Sequence, residues 1–197
     1  MKESILKTLN EAAEILRAFI ADDSSAAKIA DAARLMSGAL AGGAKIIACG
    51  NGGSLCDAAH FCEELTARFR KNRRAIPAIA ANDPAFITCA VNDFDPLDVF
   101  KRYVEALGNR GDVLLAISTS GNSANILRAA ELARQKGMKI VALTGKGGGE
   151  LGRFADVEIR APFSEFSDRA QEIHIKVIHI LVQEIENLLI YNKESHL

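Results

Sequence analysis

Apolar positions along this chain keep two periods that alternate in blocks. Between residues 3 and 20 they fall at helical spacing, through Ile5, Leu9, Ala12, Ile15, Leu16, Phe19 and Ile20. Asp22-Asp23-Ser24-Ser25 breaks that pattern and supplies capping side chains for a second helix over about 25–41, through Ile29, Ala32, Leu35 and Leu40. Gly42 and Gly43 end it. Two helices ahead of a sheet either cover one of its faces or pack against another subunit, and the pattern leaves both open.

From residue 45 onward short apolar runs alternate with helical ones. Strands are predicted at about 45–49, 76–80, 112–117, 138–143 and 156–160. Pro77 inside the second puts a strand start or a sheet edge there. The intervening helices fall at about 54–68, 84–91, 96–107 and 123–136, with a short helical turn after Gly149. Asn92 to Asp95 reads as a polar turn, and Asp95-Pro96 as a cap with proline in the first turn. A long final helix over about 166–190 carries an apolar stripe through Ile173, Val177, Ile180, Leu181, Ile185 and Leu188. Strands alternating with helices predict a parallel sheet covered on both faces. Five strands suit a flavodoxin-like three-layer α/β sandwich, order 2-1-3-4-5, preceded by N-terminal helices. Ligands of such sheets bind beyond the carboxyl ends of the strands where strand order reverses. That point falls between the loops at 50–54 and 118–123. No repeat or linker appears, so one domain is expected over 1–197, with a helical segment at 1–43 and an α/β core at 44–192.

Composition narrows the class. A chain of 197 residues, 49% hydrophobic and 25% charged, can bury a sizeable core. A net charge of −1 gives no reason to expect a nucleic-acid or acidic-membrane partner. No apolar run approaches the roughly 20 residues that span a bilayer, and Met1-Lys2-Glu3-Ser4 lacks the apolar core of a signal peptide. Cys49, Cys56, Cys62 and Cys89 form neither a CxxC pair nor a disulfide framework. The expectation is a reduced, cytoplasmic protein.

The candidate chemistry lies in the loops. After the first strand comes a glycine turn, Gly50, Gly52 and Gly53 around Asn51, with Ser54 placed to cap the next helix. Strand, turn and helix N-terminus make a site for an anion or a sugar. The dinucleotide fingerprint would need glycine where Leu55 stands, and no acid closes the second strand, which argues against NAD. Ser118-Thr119-Ser120-Gly121-Asn122-Ser123 likewise joins a buried strand to a helix, and its hydroxyls and N–H groups suit a phosphate. It is not a P-loop. His60 and Glu64, four apart on one helix, share a face and can share a metal, although such a pair is commonly an exposed ion pair. Cys56, one turn back, is a further ligand or a small buried hydrophobe. The last helix offers Gln171, Glu172, His174 and His179. Glu172 and His179 lie nearly in line, whereas Gln171 and His179 diverge by about 80°, and spacing alone does not choose. His196 lies in a polar tail. The basic run from Arg68 to Arg74 reads most simply as a solvated helix end.

These segments together resemble the phosphoheptose isomerases of the sugar-isomerase (SIS) family over nearly the whole chain. The resemblance is carried by Cys49 to Ser54, Asp57 to Leu65, Asn92 to Phe94, Gly111 to Asn125, Leu143 to Lys146 and Asp168 to His179. It implies the SIS fold and conversion of sedoheptulose 7-phosphate to D-glycero-D-manno-heptose 7-phosphate, the first step toward ADP-heptose for lipopolysaccharide core or other bacterial heptose glycans. It also implies one Zn2+ per subunit and a homotetramer with active sites at its interfaces. Carried over by motif, the metal ligands fall on His60, Glu64, Gln171 and His179, and the catalytic pair on Glu64 and His179. Substrate contacts fall on Asn51, Gly52, Gly53, Glu64, Asn92, Asp93, Ser118, Thr119, Ser120, Ser123 and Gln171. The rival class is a non-catalytic SIS module that binds a phosphosugar or a protein. The relative that binds the bacterial replication initiator lacks the acid at position 64 and has a basic residue in the serine loop. Glu64 and Ser120 here favour the enzyme. Leu55 stands where some relatives have a polar residue, outside every ligand position.

Overall fold

The computed structural model describes residues 1–191; the expected core limit at 192 and His196 lie outside them. Two helices, α1 (Lys2–Ala21) and α2 (Asp23–Ala41), lead into a five-stranded parallel sheet. Its strands are β1 (Ile46–Cys49), β2 (Ala78–Ala80), β3 (Val113–Ser118), β4 (Lys139–Thr144) and β5 (Val157–Arg160). The order is β2-β1-β3-β4-β5, as the alternating pattern predicts, and every pairing is parallel. Between them run α3 (Gly53–Thr66), α4 (Pro84–Asp93), α5 (Val99–Leu107), α6 (Ala124–Gln135) and α7 (Leu151–Phe154). The last helix, α8 (Ser167–Glu186), continues into a π-helical turn over Asn187–Tyr191.

Successive strand residues point to opposite faces, and this divides the core in two. Ile46, Ala48, Val113, Leu115, Ile117, Val141 and Leu143 pack with side chains of α2, α3 and α8. Ile47, Cys49, Leu114, Ala116, Ile140 and Ala142 pack with α5, α6 and α7. All residues of β1 and β3 are buried, as strands covered on both faces must be. The two leading helices have different fates. α2 covers the first face, with Ala32, Ala33 and Met36 buried. Of α1 only Phe19 is buried, and Ile5, Leu6, Leu9 and Ile20 are exposed.

Local signals explain most of the boundaries. Asp22 caps α2 by accepting from the Ser24 N–H at 3.0 Å, and Asp95 caps the 3-10 turn at Pro96 by accepting from the Leu97 N–H. β2 is shorter than expected and lies at the sheet edge. Pro77 stands just before it, and its carbonyl accepts from the Ile46 N–H. Asn92 and Asp93, expected in a polar turn, are instead the last residues of α4.

At the amino edge of the sheet, Asp112 accepts from the Lys45 backbone N–H, the Lys45 ammonium and the Asn109 N–H. Burial pushes its carboxyl up, but these donors outweigh burial and hold it below the usual range. On the first face of the sheet, fully buried His174 donates from Nε2 to the Thr144 carbonyl at 2.8 Å. It is a core histidine, held through Nε2 alone, with its Nδ1 buried and without a hydrogen-bond partner. Burial drives its pKa down from 6.5 to about 4, with the Thr144 bond opposing the shift.

A group depressed in this way stays neutral in the fold while the unfolded chain takes up a proton. Stability from His174 is therefore complete above pH 6.5 and is lost as pH falls toward 4. The loss reaches about 3 kcal/mol by pH 4. Urea unfolding at pH 7 and pH 4 checks this: His174→Gln is expected to lessen the fall by about that amount, and an identical fall in both proteins would refute it.

Candidate functional site

The glycine turn between β1 and α3 is tight for a steric reason. Gly52 has φ +54°, which favours glycine, and a Cβ on Gly50 would lie 2.4 Å from the Ser54 carbonyl oxygen. Gly52 itself is the N-cap of α3, without a side-chain cap bond, and Ser54 lies buried inside the first turn. The expected serine cap is therefore absent: the positive φ of Gly52 starts the helix two residues early. A Cβ on Gly53 would lie 2.8 Å from the Gln171 amide, so the first turns of α3 and α8 are in contact here.

The second loop, between β3 and α6, lies beside the first at the switch point. Two reciprocal hydrogen bonds join them, Asn51 Nδ2 to Asn125 Oδ1 at 3.0 Å and Asn125 Nδ2 to Asn51 Oδ1 at 2.9 Å. Within the loop Ser118 Oγ lies 3.0 Å from Ser123 Oγ and 3.5 Å from Ser120 Oγ, and Ser120 Oγ accepts from the Asn122 N–H. Hydroxyls thus converge at the start of a helix, where an anion is favoured. The loop after β4 braces this one: the Gly121 carbonyl accepts from the Leu151 N–H, and Asn122 Oδ1 accepts from the Glu150 N–H.

Along α3, His60 Nε2 lies 3.3 Å from Glu64 Oε1. α8 packs on the same sheet face as α3 and brings His179 to them, its ring centroid 5.1 Å from that of His60 in an edge-to-face arrangement. Donor atoms of His60, Glu64 and His179 all lie within 4.8 Å of one another in a half-buried setting. Two imidazoles and a carboxylate at this spacing suit a divalent ion such as zinc. Phe69, which the sequence did not single out, stacks on the His179 ring at 5.8 Å.

Of the candidates on α8, geometry selects His179 for this group and leaves Glu172 paired with the Arg169 guanidinium. Cys56 is exposed and outside it. Beside it Asp57 is half-buried, its Oδ2 without a hydrogen-bond partner, and burial pushes its pKa up to about 6 while the His60 charge pulls it down. Asn92 and Asp93 hydrogen-bond to each other at 2.7 Å and to no other predicted site residue. The basic run after α3 is not simply solvated. The Arg73 side chain is buried, donating to the Glu64 carbonyl and to Glu186, the latter a link across 113 residues that local pattern does not carry.

Functional groups gathered beyond the carboxyl ends of β1 and β3 place the molecule among the doubly wound α/β proteins that work at a topological switch point. The SIS domain model matches residues 9–145. A phosphoheptose isomerase of Escherichia coli O7:K1 is 55% identical over 189 residues, covering 96% of this chain and 98% of that protein. One from Escherichia fergusonii is 56% identical, covering 94% and 96%. The solved structure of the Neisseria gonorrhoeae phosphoheptose isomerase superposes with TM-score 0.88 at 35% identity, covering 94% of this chain and 98% of that one. The Francisella tularensis enzyme gives 0.88 at 36%, covering 94% and 97%. The chain belongs to the SIS domain family and, within it, to the phosphoheptose isomerases.

The loop packing makes a specific demand at one glycine. Gly121 has φ +66°, and a Cβ there would stand 1.9 Å from the Gly148 carbonyl oxygen. Gly121→Ala is expected to destabilise the protein by at least about 2 kcal/mol. Gly147→Ala, with open space around its Cβ, should stay within about 0.5 kcal/mol of the parent. Thermal or urea unfolding of the two variants compares them directly; equal stabilities would contradict the packing.

Proposed function

We propose that this protein isomerises sedoheptulose 7-phosphate to D-glycero-D-manno-heptose 7-phosphate, supplying the precursor of ADP-heptose. The observation that carries the reading is the meeting of His60, Glu64 and His179 from two helices; the hydroxyl-lined loop at the switch point is the second feature such a substrate needs. The extensive likeness to phosphoheptose isomerases supports the substrate.

Aldose–ketose isomerisation moves a proton between adjacent carbons through an enediol. One group must remove a carbon-bound proton and another must move a proton on oxygen. Glu64 and His179 take these roles as base and acid. Their separate helices already bring them within 4.8 Å of one another, so neither has to be brought to the other by a large motion. Ser118, Thr119, Ser120 and Ser123 anchor the phosphate through hydroxyls and helix-start N–H groups. Asn51, Gly52, Gly53, Asn92, Asp93 and Gln171 hold the sugar hydroxyls. Gln171 lies against Gly53, so it is already turned toward the glycine loop.

His60, Glu64, Gln171 and His179 are the residues that would hold Zn2+. When bound, it supplies Lewis-acid polarisation of the sugar carbonyl and of the adjacent hydroxyl. Four copies assemble with sites at their interfaces, which would cover the exposed Ile5, Leu6 and Leu9 of α1. Four unpaired cysteines accord with a cytoplasmic setting, and the chain acts as one SIS domain. No described helix is long and apolar enough to cross a membrane.

Aldose formation from sedoheptulose 7-phosphate, with and without a chelator, tests the whole reading. Activity abolished by chelation and restored by Zn2+ is expected; a well-folded protein with no turnover would make it a binding module. Glu64→Gln should lower kcat by about 10²–10⁴-fold without unfolding the protein, and near-normal kcat would remove Glu64 from the mechanism. Ser120→Ala should act chiefly on KM. An unchanged KM would place the phosphate elsewhere.

A further inference from the structure

We infer that Arg73 is a positioning residue for the isomerase centre, fixing the end of α3 that carries Glu64 against the end of α8 that carries His179. The inference rests on the proposed function for its role, but its geometry stands alone. Arg73 lies in the loop after α3, and its side chain is 1% exposed. Nε donates to Glu186 Oε1 at 2.8 Å, Nη2 to the Glu64 carbonyl at 2.6 Å, and Nη1 to the Ala67 and Arg74 carbonyls at 3.0 and 3.2 Å. Glu186, 3% exposed at its side chain, ends α8.

Three physical facts make this more than a stray ion pair. The last carbonyls of a helix have no partner within it, and Arg73 satisfies two at the end of α3, where positive charge is favoured. One of the two belongs to the peptide of Glu64 itself. Glu186 follows His179 by two helical turns, so both side chains leave α8 on nearly the same line, toward α3. The guanidinium is a rigid planar fork. Its simultaneous bonds to one helix's peptide and the other's carboxylate set the register and axial rotation of the two helices together. Adhesion does not require it. Phe61 and Leu65 of α3 and Ile178, Val182 and Ile185 of α8 already form a buried apolar contact layer, and an apolar pair of the same volume can stabilise a fold as well as a buried ion pair. What the ion pair adds is a fixed geometry. The same loop also places Phe69 on the His179 ring.

The test compares two folded variants in full-length, chelator-treated protein. Arg73→Lys keeps the charge and loses the fork. Asp112→Asn disturbs another largely buried ion pair, with Lys45, which makes no hydrogen bond to His60, Glu64, His179, Arg73 or Glu186. Co2+ affinity is read from visible absorption during titration, stability from thermal unfolding, and kcat and KM from aldose formation once saturating Zn2+ has been restored. Arg73→Lys should weaken Co2+ binding about tenfold or more, with kcat reduced in the same range and KM little changed. Asp112→Asn should lose stability while keeping Co2+ affinity and kcat. Should Arg73→Lys fail to fold, Glu186→Gln enters the same comparison. Wild-type Co2+ affinity in the Arg73 or Glu186 variant, or a loss no greater than in Asp112→Asn, overturns the inference. If the parent protein binds Co2+ but forms no aldose, the functional reading falls and the titration still decides the positioning.

Discussion

The packing of α8 against α3 on one face of the sheet is the constraint on which the site depends. Both helices bury an apolar stripe in the same core, Phe61, Cys62 and Leu65 from one and Ile178, Leu181, Val182 and Ile185 from the other. Because that contact is close-packed it has few alternative registers. Residues half a turn off the stripe therefore meet in a defined way. His60 and Glu64 from α3 and His179 from α8 are such residues: partly exposed, polar, and within 4.8 Å of one another. The hydrophobic effect supplies the force that brings the helices together; the polar groups inherit their geometry from it.

A second constraint sits at the carboxyl edge of the sheet, where backbone approaches backbone. Gly50, Gly53 and Gly121 each stand where a Cβ would collide with a neighbouring loop or side chain. Absence of side chains lets the turn after β1, the loop after β3 and the loop after β4 nest together, and Asn51 with Asn125 locks the first two. The amino edge is held differently, by Asp112 gathering three donors. One edge is thus built for close approach and open hydroxyls, the other for closure.

Much of this was legible along the chain, because it is written in local periods. Apolar runs alternating with helical spacing gave the five strands and their order, and His60 with Glu64 is visible as an i, i+4 pair. Helical spacing left the choice among Gln171, Glu172, His174 and His179 open; the resemblance pointed to Gln171 and His179, and the tertiary contact brings His179 to the pair on α3. His174 differs from His179 only in which side of α8 it occupies, one in the core and one toward α3. Ser54 looked like a cap because serine at a helix start usually is one, yet the positive φ of Gly52 began the helix earlier. Arg73 was hidden among six neighbours of a basic run. Its partner stands 113 residues away, and no local pattern distinguishes the one buried arginine from its solvated companions.

The central claim is that two helices far apart in the chain, α3 and α8, build one metal-binding centre on a face of the sheet. Diffraction from zinc-loaded crystals, with anomalous maps above and below the zinc edge, tests it most directly. The account predicts one peak per subunit, about 2.0–2.2 Å from nitrogens of His60 and His179 and from a Glu64 oxygen. A fully occupied zinc bound elsewhere, with these three side chains unligated, would contradict it.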